Sequence, residues 1–434
     1  MCRIFEHSMS SYHLRLVVLV IVLLFFNGCA PRKILHLEDH PLPAHPVKKI
    51  ETNEFFLAKG DDIIGRSAFL RLEADDTLPD IARHFSLGIH EISAANPGID
   101  LWVPAAGERI LLPMSFILPD APRKGIVINL AAMRLFQFKE QATSLTVSTY
   151  PVGIGSEERP TPRGLMYVSR KTVRPTWHVP ASIAEDHLQR GDPLPPKVPP
   201  GPENPLGDYA LYLNEPTYLI HGTNKSASIG LNATNGCIRL YPEDVKKLYE
   251  DTPVNTPVSI INQPYLVGLR NGVIHLEAHG RVGDSDSAER NAFYAKLRGL
   301  EKKLARRFDW KRIEEVLSEQ RGIPVPISGK KGTAKETEIR HPDKLYGKPE
   351  TAKLKMDAWY VLAAETSDKL NALRTAAIIN HQGPPIPARV LTKGNGYRVI
   401  AGPFQDVHAA ENALKRLKIN LEIEGIVIEP PNRR

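Results

Sequence analysis

The chain has 434 residues, too many for one ordinary domain, so roughly two to four are expected. Its 42% apolar and 24% charged content suits soluble globular modules joined by linkers, and its 37 prolines cluster. The formal net charge of +7 comes without a long basic run interleaved with aromatics, which argues against a nucleic-acid binder and for a weakly cationic, solvated surface.

At the N-terminus, Leu14-Arg15 precedes an apolar run from Leu16 to Phe26. That is signal-peptide length and short for a bilayer span. The run ends at Phe26-Asn27-Gly28-Cys29, which resembles a bacterial lipobox with Phe26 where Leu is usual. The resemblance implies that residues 1–28 are a lipoprotein signal peptide and that Cys29 is lipidated as the first mature residue. It also implies a membrane anchor through that lipid, on the outer membrane because Ala30 rather than Asp follows. Simple secretion and a retained anchor are the alternatives. The three cysteines are Cys2, Cys29 and Cys237. Cleavage before Cys29 removes Cys2, and acylation uses Cys29. Cys237 is then a free thiol in an oxidising compartment, either a liability or a tool.

Residues 29–67 are rich in proline and charge (Pro41, Pro43, Pro46, Lys48, Lys49) and read as a mostly extended tether. Residues 68–114 read as a small β-α-α-β module. Leu70-Arg71-Leu72 alternates like a strand. Asp76-Thr77 caps a helix with Leu78, Ile81, Ala82 and Phe85 on one face. A second helix carries Ile89, Ile92 and Ala95 and stops at Asn96-Pro97-Gly98; Arg109 to Pro113 closes as a strand. The order, with D-T-L-x-x-I-A-x-x-F and A-A-N-P-G-I-D, resembles a LysM domain, which implies binding to N-acetylglucosamine glycans. Asp75 stands where the first turn usually has Gly. A packing module without glycan affinity is the plainer alternative.

From residue 124 to about 280 the pattern is mostly β. Ile126 to Asn129 and Met133 to Phe138 read as a hairpin, and Thr146 to Val152 as a further strand ending at Gly153-Ile154-Gly155. A G-x-G with no third Gly and no following helix is not a phosphate loop. These glycines instead suit a place where backbone approaches a substrate.

The chemistry concentrates in Ile220 to Tyr241, I-H-G-T-N-K-S-A-S-I-G-L-N-A-T-N-G-C-I-R-L-Y. The run is too rich in Gly, Asn, Ser and Thr for a helix. It reads as a strand ending at His221, a loop, and a return at Gly236-Cys237 that brings the imidazole to the sulfur. A thiol becomes a nucleophile on losing its proton, and a neighbouring imidazole can take it. Gly236 allows a tight turn with main-chain N–H groups aimed at an oxyanion. Arg239 lies two residues on, where a guanidinium can hold a substrate carboxylate. A buried structural thiol beside an unrelated His is the plainer alternative.

The stretch resembles the signature of the YkuD-type L,D-transpeptidases, which cross-link peptidoglycan: H-G-T/S, about a dozen residues, then S/T-x-G-C-x-R. Here it stands as His221-Gly222-Thr223 and Thr234-Asn235-Gly236-Cys237-Ile238-Arg239. The resemblance implies that Cys237 is the nucleophile and His221 the general base, with the Thr223 backbone carbonyl orienting the imidazole. Asn235 stands where many members carry a second His, which bears on substrate positioning. Similarity continues at Thr161-Pro162-Arg163-Gly164, Pro175-Thr176-Trp177, and Asn204-Pro205-Leu206-Gly207. The proline-rich segment Pro193 to Pro205 cannot be a central strand and reads as a loop over the cleft. Trp177 lines a cleft wall or fills the core, and His178 reads as incidental. Glu243 and Asp244 suit the start of a helix. His275, Glu277 and His279 fall on one strand face and form a weak zinc candidate; no metal or organic cofactor is expected.

Residues 288–320 are helical in period, with a stripe at Phe293, Leu297, Leu300, Leu304 and Phe308 that docks on the catalytic domain or binds a partner. Residues 329–355 are charged and read as a flexible linker. Residues 357–430 read as β-α-β-β-α-β. With Y-R-V-x-x-G-P-F at Tyr397 to Phe404 they resemble a SPOR domain, which implies binding to septal peptidoglycan stripped of stem peptides. The fold class expected is therefore multidomain, a mainly β catalytic core flanked by small α+β modules. The function expected is L,D-transpeptidation at the periplasmic face of the envelope. The partners are peptidoglycan stems and glycan strands, with a stem amine or a wall-anchored lipoprotein as acceptor. Hydrolysis of the same thioester, and a non-catalytic wall-binding scaffold, are the rivals.

Overall fold

Short runs of β-branched and aromatic residues between turn signals build a nine-stranded sheet at the centre of the computed structural model, which describes residues 53–140, 144–280, 287–329 and 337–431. Cys2, Cys29 and the lipobox lie outside the described residues. The strands are β1 (Glu54–Leu57), β2 (Gly125–Asn129), β3 (Arg134–Glu140), β4 (Leu145–Pro151), β5 (Gly164–Val173), β6 (Tyr209–Leu213), β7 (Leu219–His221), β8 (Ile238–Arg239) and β9 (Pro257–Ile261). Their order is β1-β4-β3-β2-β9-β5-β6-β7-β8. Neighbours are antiparallel except β2 with β9 and β7 with β8.

The period of two sorts β2 to β4 onto two cores. Ile126, Ile128, Leu135 and Tyr150 face one core, closed by Val245 and Leu248 of the helix Pro242–Asp251. Val127, Phe136, Phe138 and Val147 face the other, filled by Leu70, Leu78, Ile81 and Ile110 of the module at 68–114. That module is thus fused to the sheet. Burying Phe136 alone contributes roughly 1.5–3 kcal/mol. Its strands Ala68–Arg71 and Arg109–Leu112 pair antiparallel, Leu70 opposite Ile110, and its helices span Leu78–His84 and Ile89–Ala95. Thr77 caps the first helix, its hydroxyl accepting from the Asp80 amide at 3.2 Å. Asp75 sits at φ +64°, the left-handed turn that would favour Gly.

Polar bonds complete the fusion. Arg134 of β3 makes a bidentate pair with Glu91 at 2.6 and 2.7 Å, both nearly inaccessible. Arg83 pairs in the same way with Glu243 at 2.9 and 3.0 Å.

Three sequence boundaries need correction. The tether does not reach residue 67: β1 pairs with β4, and Ile63–Gly65 pairs with Ser115–Ile117. Past Pro46 the apolar alternation of Phe55 and Leu57 finds a sheet edge and core to cover. The 329–355 segment is not free where it is described. Ile339 donates to the Phe69 carbonyl at 2.8 Å, and Leu345 is 3% exposed within the second core. A few well-placed apolar residues dock it despite its charge. The catalytic sheet ends at β9, not near 280. The hairpin Tyr265–Arg270 and Val273–Ala278 forms a separate three-stranded sheet with Val325–Pro326. Its Ile274 and Leu276 pack on Phe293, Leu297, Ile313 and Leu317 of the helices Ser287–Leu304 and Trp310–Glu319, so the stripe, apart from exposed Leu304, is an internal docking face.

The C-terminal module has a four-stranded sheet ordered Ala388–Lys393, Gly396–Phe404, Trp359–Thr366, Ile426–Ile428. The helices Lys369–Asn380 and Val407–Leu421, capped by Asp368 and Asp406, share its core. It touches the N-terminal module through Arg374 and Asp100 at 2.6 Å and through His381 Nε2 and Asp80 at 3.1 Å.

Candidate active site

The loop between His221 and Cys237 is a crossover joining two parallel strands. In their register Ile220 lies opposite Ile238 and His221 opposite Arg239. Cys237 falls one residue before β8, level with Leu219. His221 and Cys237 therefore leave the backbone on the same face, two residues apart along the strands.

His221 is 3% exposed, and its Nδ1 lies 2.6 Å from the Gly222 carbonyl. A carbonyl only accepts, so Nδ1 carries the proton and Nε2 keeps its lone pair. The orienting carbonyl is thus that of Gly222 and not Thr223. Thr223 instead accepts the Lys225 amide on its hydroxyl at 2.9 Å. Burial, then the charge of Arg239, lowers the imidazole pKa to about 3. Burial also raises the Cys237 thiol, against smaller lowering by the Leu219 amide and Arg239. The resting pair is neutral thiol with neutral imidazole. Its thiol donates to the Thr217 carbonyl at 3.6 Å, so the direct imidazole contact expected of it is not made in this conformation.

Gly236 sets the turn before the thiol. Its φ is +97°, and a Cβ there would stand 2.7 Å from Cε1 of Tyr218. Its N–H donates to Thr234 Oγ1 at 3.1 Å, and that hydroxyl donates to the Cys237 carbonyl at 2.7 Å. The Gly236 amide is committed and is not free for the oxyanion role expected of it.

Cys237 is half-buried and opens into a groove of about 810 Å³. Trp177 and Asn235 line it. So does His178, set aside as incidental, together with Arg159, Arg170, Tyr212 and Tyr218, which sequence spacing did not single out. The Trp177–His178 strand pairs with Lys197–Val198, and Asn204, fully buried, donates to the Pro175 carbonyl at 2.8 Å. The proline-rich loop is thereby fixed as one wall.

Residues 123–260 match the model of the YkuD L,D-transpeptidase catalytic domain, and residues 355–429 match the SPOR domain. The chain is 36% identical over 280 residues to the probable L,D-transpeptidase ErfK/SrfK of Escherichia coli K12, covering 62% of this chain and 89% of that protein. It is 35% identical over 276 residues to the probable L,D-transpeptidase YcfS of the same organism, covering 62% and 86%. For the probable L,D-transpeptidase YbiS the identity is 36% over 232 residues, covering 52% and 75%. The chain belongs to the L,D-transpeptidase family.

In this L,D-transpeptidase, Arg239 does not stand in the groove. Its Nη1 reaches the Ala233 carbonyl at 3.4 Å, and its buried Nε has no hydrogen-bond partner. Its charge lowers the pKa of both His221 and Cys237 and so favours a thiolate. The substrate-carboxylate role expected of Arg239 finds no place among the groove-lining residues. The Gly153-Ile154-Gly155 segment also differs from expectation. Its Ile154–Gly155 pairs with Asn232–Thr234 of the active-site loop, and a Cβ on Gly153 would stand 2.7 Å from the Ser228 carbonyl. The backbone it approaches is the loop itself.

Both accessory modules touch that loop. The Ile89 amide donates to the Ile229 carbonyl at 3.0 Å, and a Cβ on Gly383 would run into the Asn224 carbonyl. Among the described residues, no group of three His, Cys, Asp or Glu side chains is placed to hold a metal. Glu277 and His279 bond each other at 2.7 Å, and His275 lies 3.1 Å from the Val273 carbonyl. No helix of the described residues is long and apolar enough to cross a membrane.

Proposed function

We propose that this L,D-transpeptidase acts on peptidoglycan stem peptides through a thioester on Cys237. The observation that carries the reading is the pairing of a thiol open to a groove with an imidazole whose Nδ1 is committed to a carbonyl. That commitment leaves Nε2 as the base. As the thiol swings from Thr217, its proton passes to Nε2 and the sulfur attacks the carbonyl of the third residue of a tetrapeptide stem. The Cys237 amide is the candidate donor to the oxyanion, with Gly236 already engaged. Collapse expels D-alanine, whose amine takes the proton from the imidazole. The amine of a second stem, or of an anchored lipoprotein, then attacks the thioester and gives its proton to Nε2. Water in that place yields a tripeptide. No step calls for a metal or organic cofactor.

The module at 68–114 is read as LysM-like and glycan-binding, and the SPOR domain as a septal peptidoglycan binder. With an N-terminal lipid at Cys29, these hold the enzyme at the periplasmic face of the wall, on the outer membrane. The experiment is incubation of the purified protein and of Cys237→Ala with tetrapeptide muropeptides. Wild type should give dimers or tripeptides. The variant should give neither while still binding sacculi. Turnover by the variant would remove Cys237 from the role.

A further inference from the structure

The thiol groove is built for an anion. Its lining includes Arg159 and Arg170, and no Asp or Glu among the described residues. Arg170 lies flat on the Tyr212 ring, 3.3 Å from its centroid. Arg159 is fixed relative to the nucleophile. Its Nη1 donates to Asn235 Oδ1 at 2.7 Å, and Asn235 lies two residues before Cys237.

We propose that Arg159 reads the free C-terminal carboxylate of the acyl donor and so selects chains that end one residue past the scissile bond. This rests on the transpeptidase reading above. In a tetrapeptide donor the terminal carboxylate belongs to the leaving D-alanine, the residue next to the attacked carbonyl. Arg159 and Cys237 line the same groove, and Asn235, which holds the guanidinium, is two residues from the thiol. A guanidinium binds a carboxylate through two parallel N–H groups, which a longer or amidated chain end cannot satisfy.

A carboxylate from outside that lining already sits on the guanidinium. Arg159 Nη2 pairs with Asp186 Oδ2 at 2.6 Å. Asp186 belongs to the helix Ala181–Gln189, none of whose residues is buried. A helix held by so little can shift at small cost, so Asp186 is a placeholder that the donor's carboxylate displaces. Asn235 keeps the guanidinium in place through the exchange. The residue that departs from the more common family His is thereby the anchor of the chain-end reader.

The test measures release of the terminal residue from a tetrapeptide muropeptide ending in free D-alanine and from its C-terminal carboxamide. Wild type should favour the free acid in KM. Arg159→Gln should raise KM for the acid roughly 10- to 100-fold, with kcat within about threefold and the carboxamide's KM unchanged. Arg159→Lys should fall between the two. Asp186→Asn should lower KM for the acid. Equal effects of Arg159→Gln on both donors, or a raised KM in Asp186→Asn, would overturn the inference while wild-type turnover upheld the family reaction. Release from neither donor by wild type would overturn the reaction itself.

Discussion

Gly236→Ala tests the turn that presents the Cys237 thiol to the groove. At φ +97° an L-residue is strained by about 1–3 kcal/mol. The new Cβ would also stand 2.7 Å from Tyr218, against an ordinary contact of about 3.5–4 Å. Forcing that overlap costs about 1–3 kcal/mol more. The sum is about 2–6 kcal/mol, or roughly 4–24 °C in the catalytic-core transition at about 2–4 °C per kcal/mol. Thermal melting followed by tryptophan fluorescence reads this, and iodoacetamide labelling of Cys237 reports whether the thiol still faces the groove. Gly236→Ala with Tyr218→Ala should recover the steric part and keep the backbone part. Gly299→Ala is the control. Gly299 lies in the helix Ser287–Leu304 with nothing within 4 Å of its Cβ, so Ala there should stabilise by about 0.5–1 kcal/mol. A Gly236→Ala protein that melts within a degree of wild type would show that this turn does not hold the site.

Three further outcomes follow from burial of ionisable groups. Unfolded His221 protonates near 6.5, whereas the folded residue resists to about 3, so the unfolded state binds more protons between those values. That stability is fully present above 6.5 and drains as pH falls. Between pH 8 and 5 wild type should lose about 2 kcal/mol more than His221→Asn in urea titrations, and equal losses would count against the burial argument. The raised thiol should make Cys237 alkylation keep increasing through and above pH 8.5, with no plateau below it. Glu91→Gln leaves the Arg134 guanidinium buried without its carboxylate and should cost about 3–5 kcal/mol. A melt unchanged by that substitution would mean that the ion pair does not weld the N-terminal module to the sheet.

Several elements were legible in the chain because their causes are local. The stop at Asn96-Pro97-Gly98, the Thr77 cap and the period-two strands depend on neighbours a few residues away. The boundaries failed where a distant surface decided the outcome. Phe55 and Leu57 become a strand because β4 offers an edge. Leu345 is docked because the core at 68–114 leaves it a place. Gly222 rather than Thr223 faces the imidazole because a ring reaches the carbonyl its own rotamer allows, which no spacing encodes.

By itself the order of residues determined the chemistry available here: one thiol and one imidazole joined by a run too rich in Gly, Asn, Ser and Thr for an α-helix. A covalent spacing and the intrinsic reactivity of side chains do not depend on the fold. Only the tertiary structure decided that Arg159 lines the groove and Arg239 does not, and that both accessory modules press on the active-site loop. Burial and through-space charge are properties of what surrounds a group, and those surroundings come from segments up to hundreds of residues away.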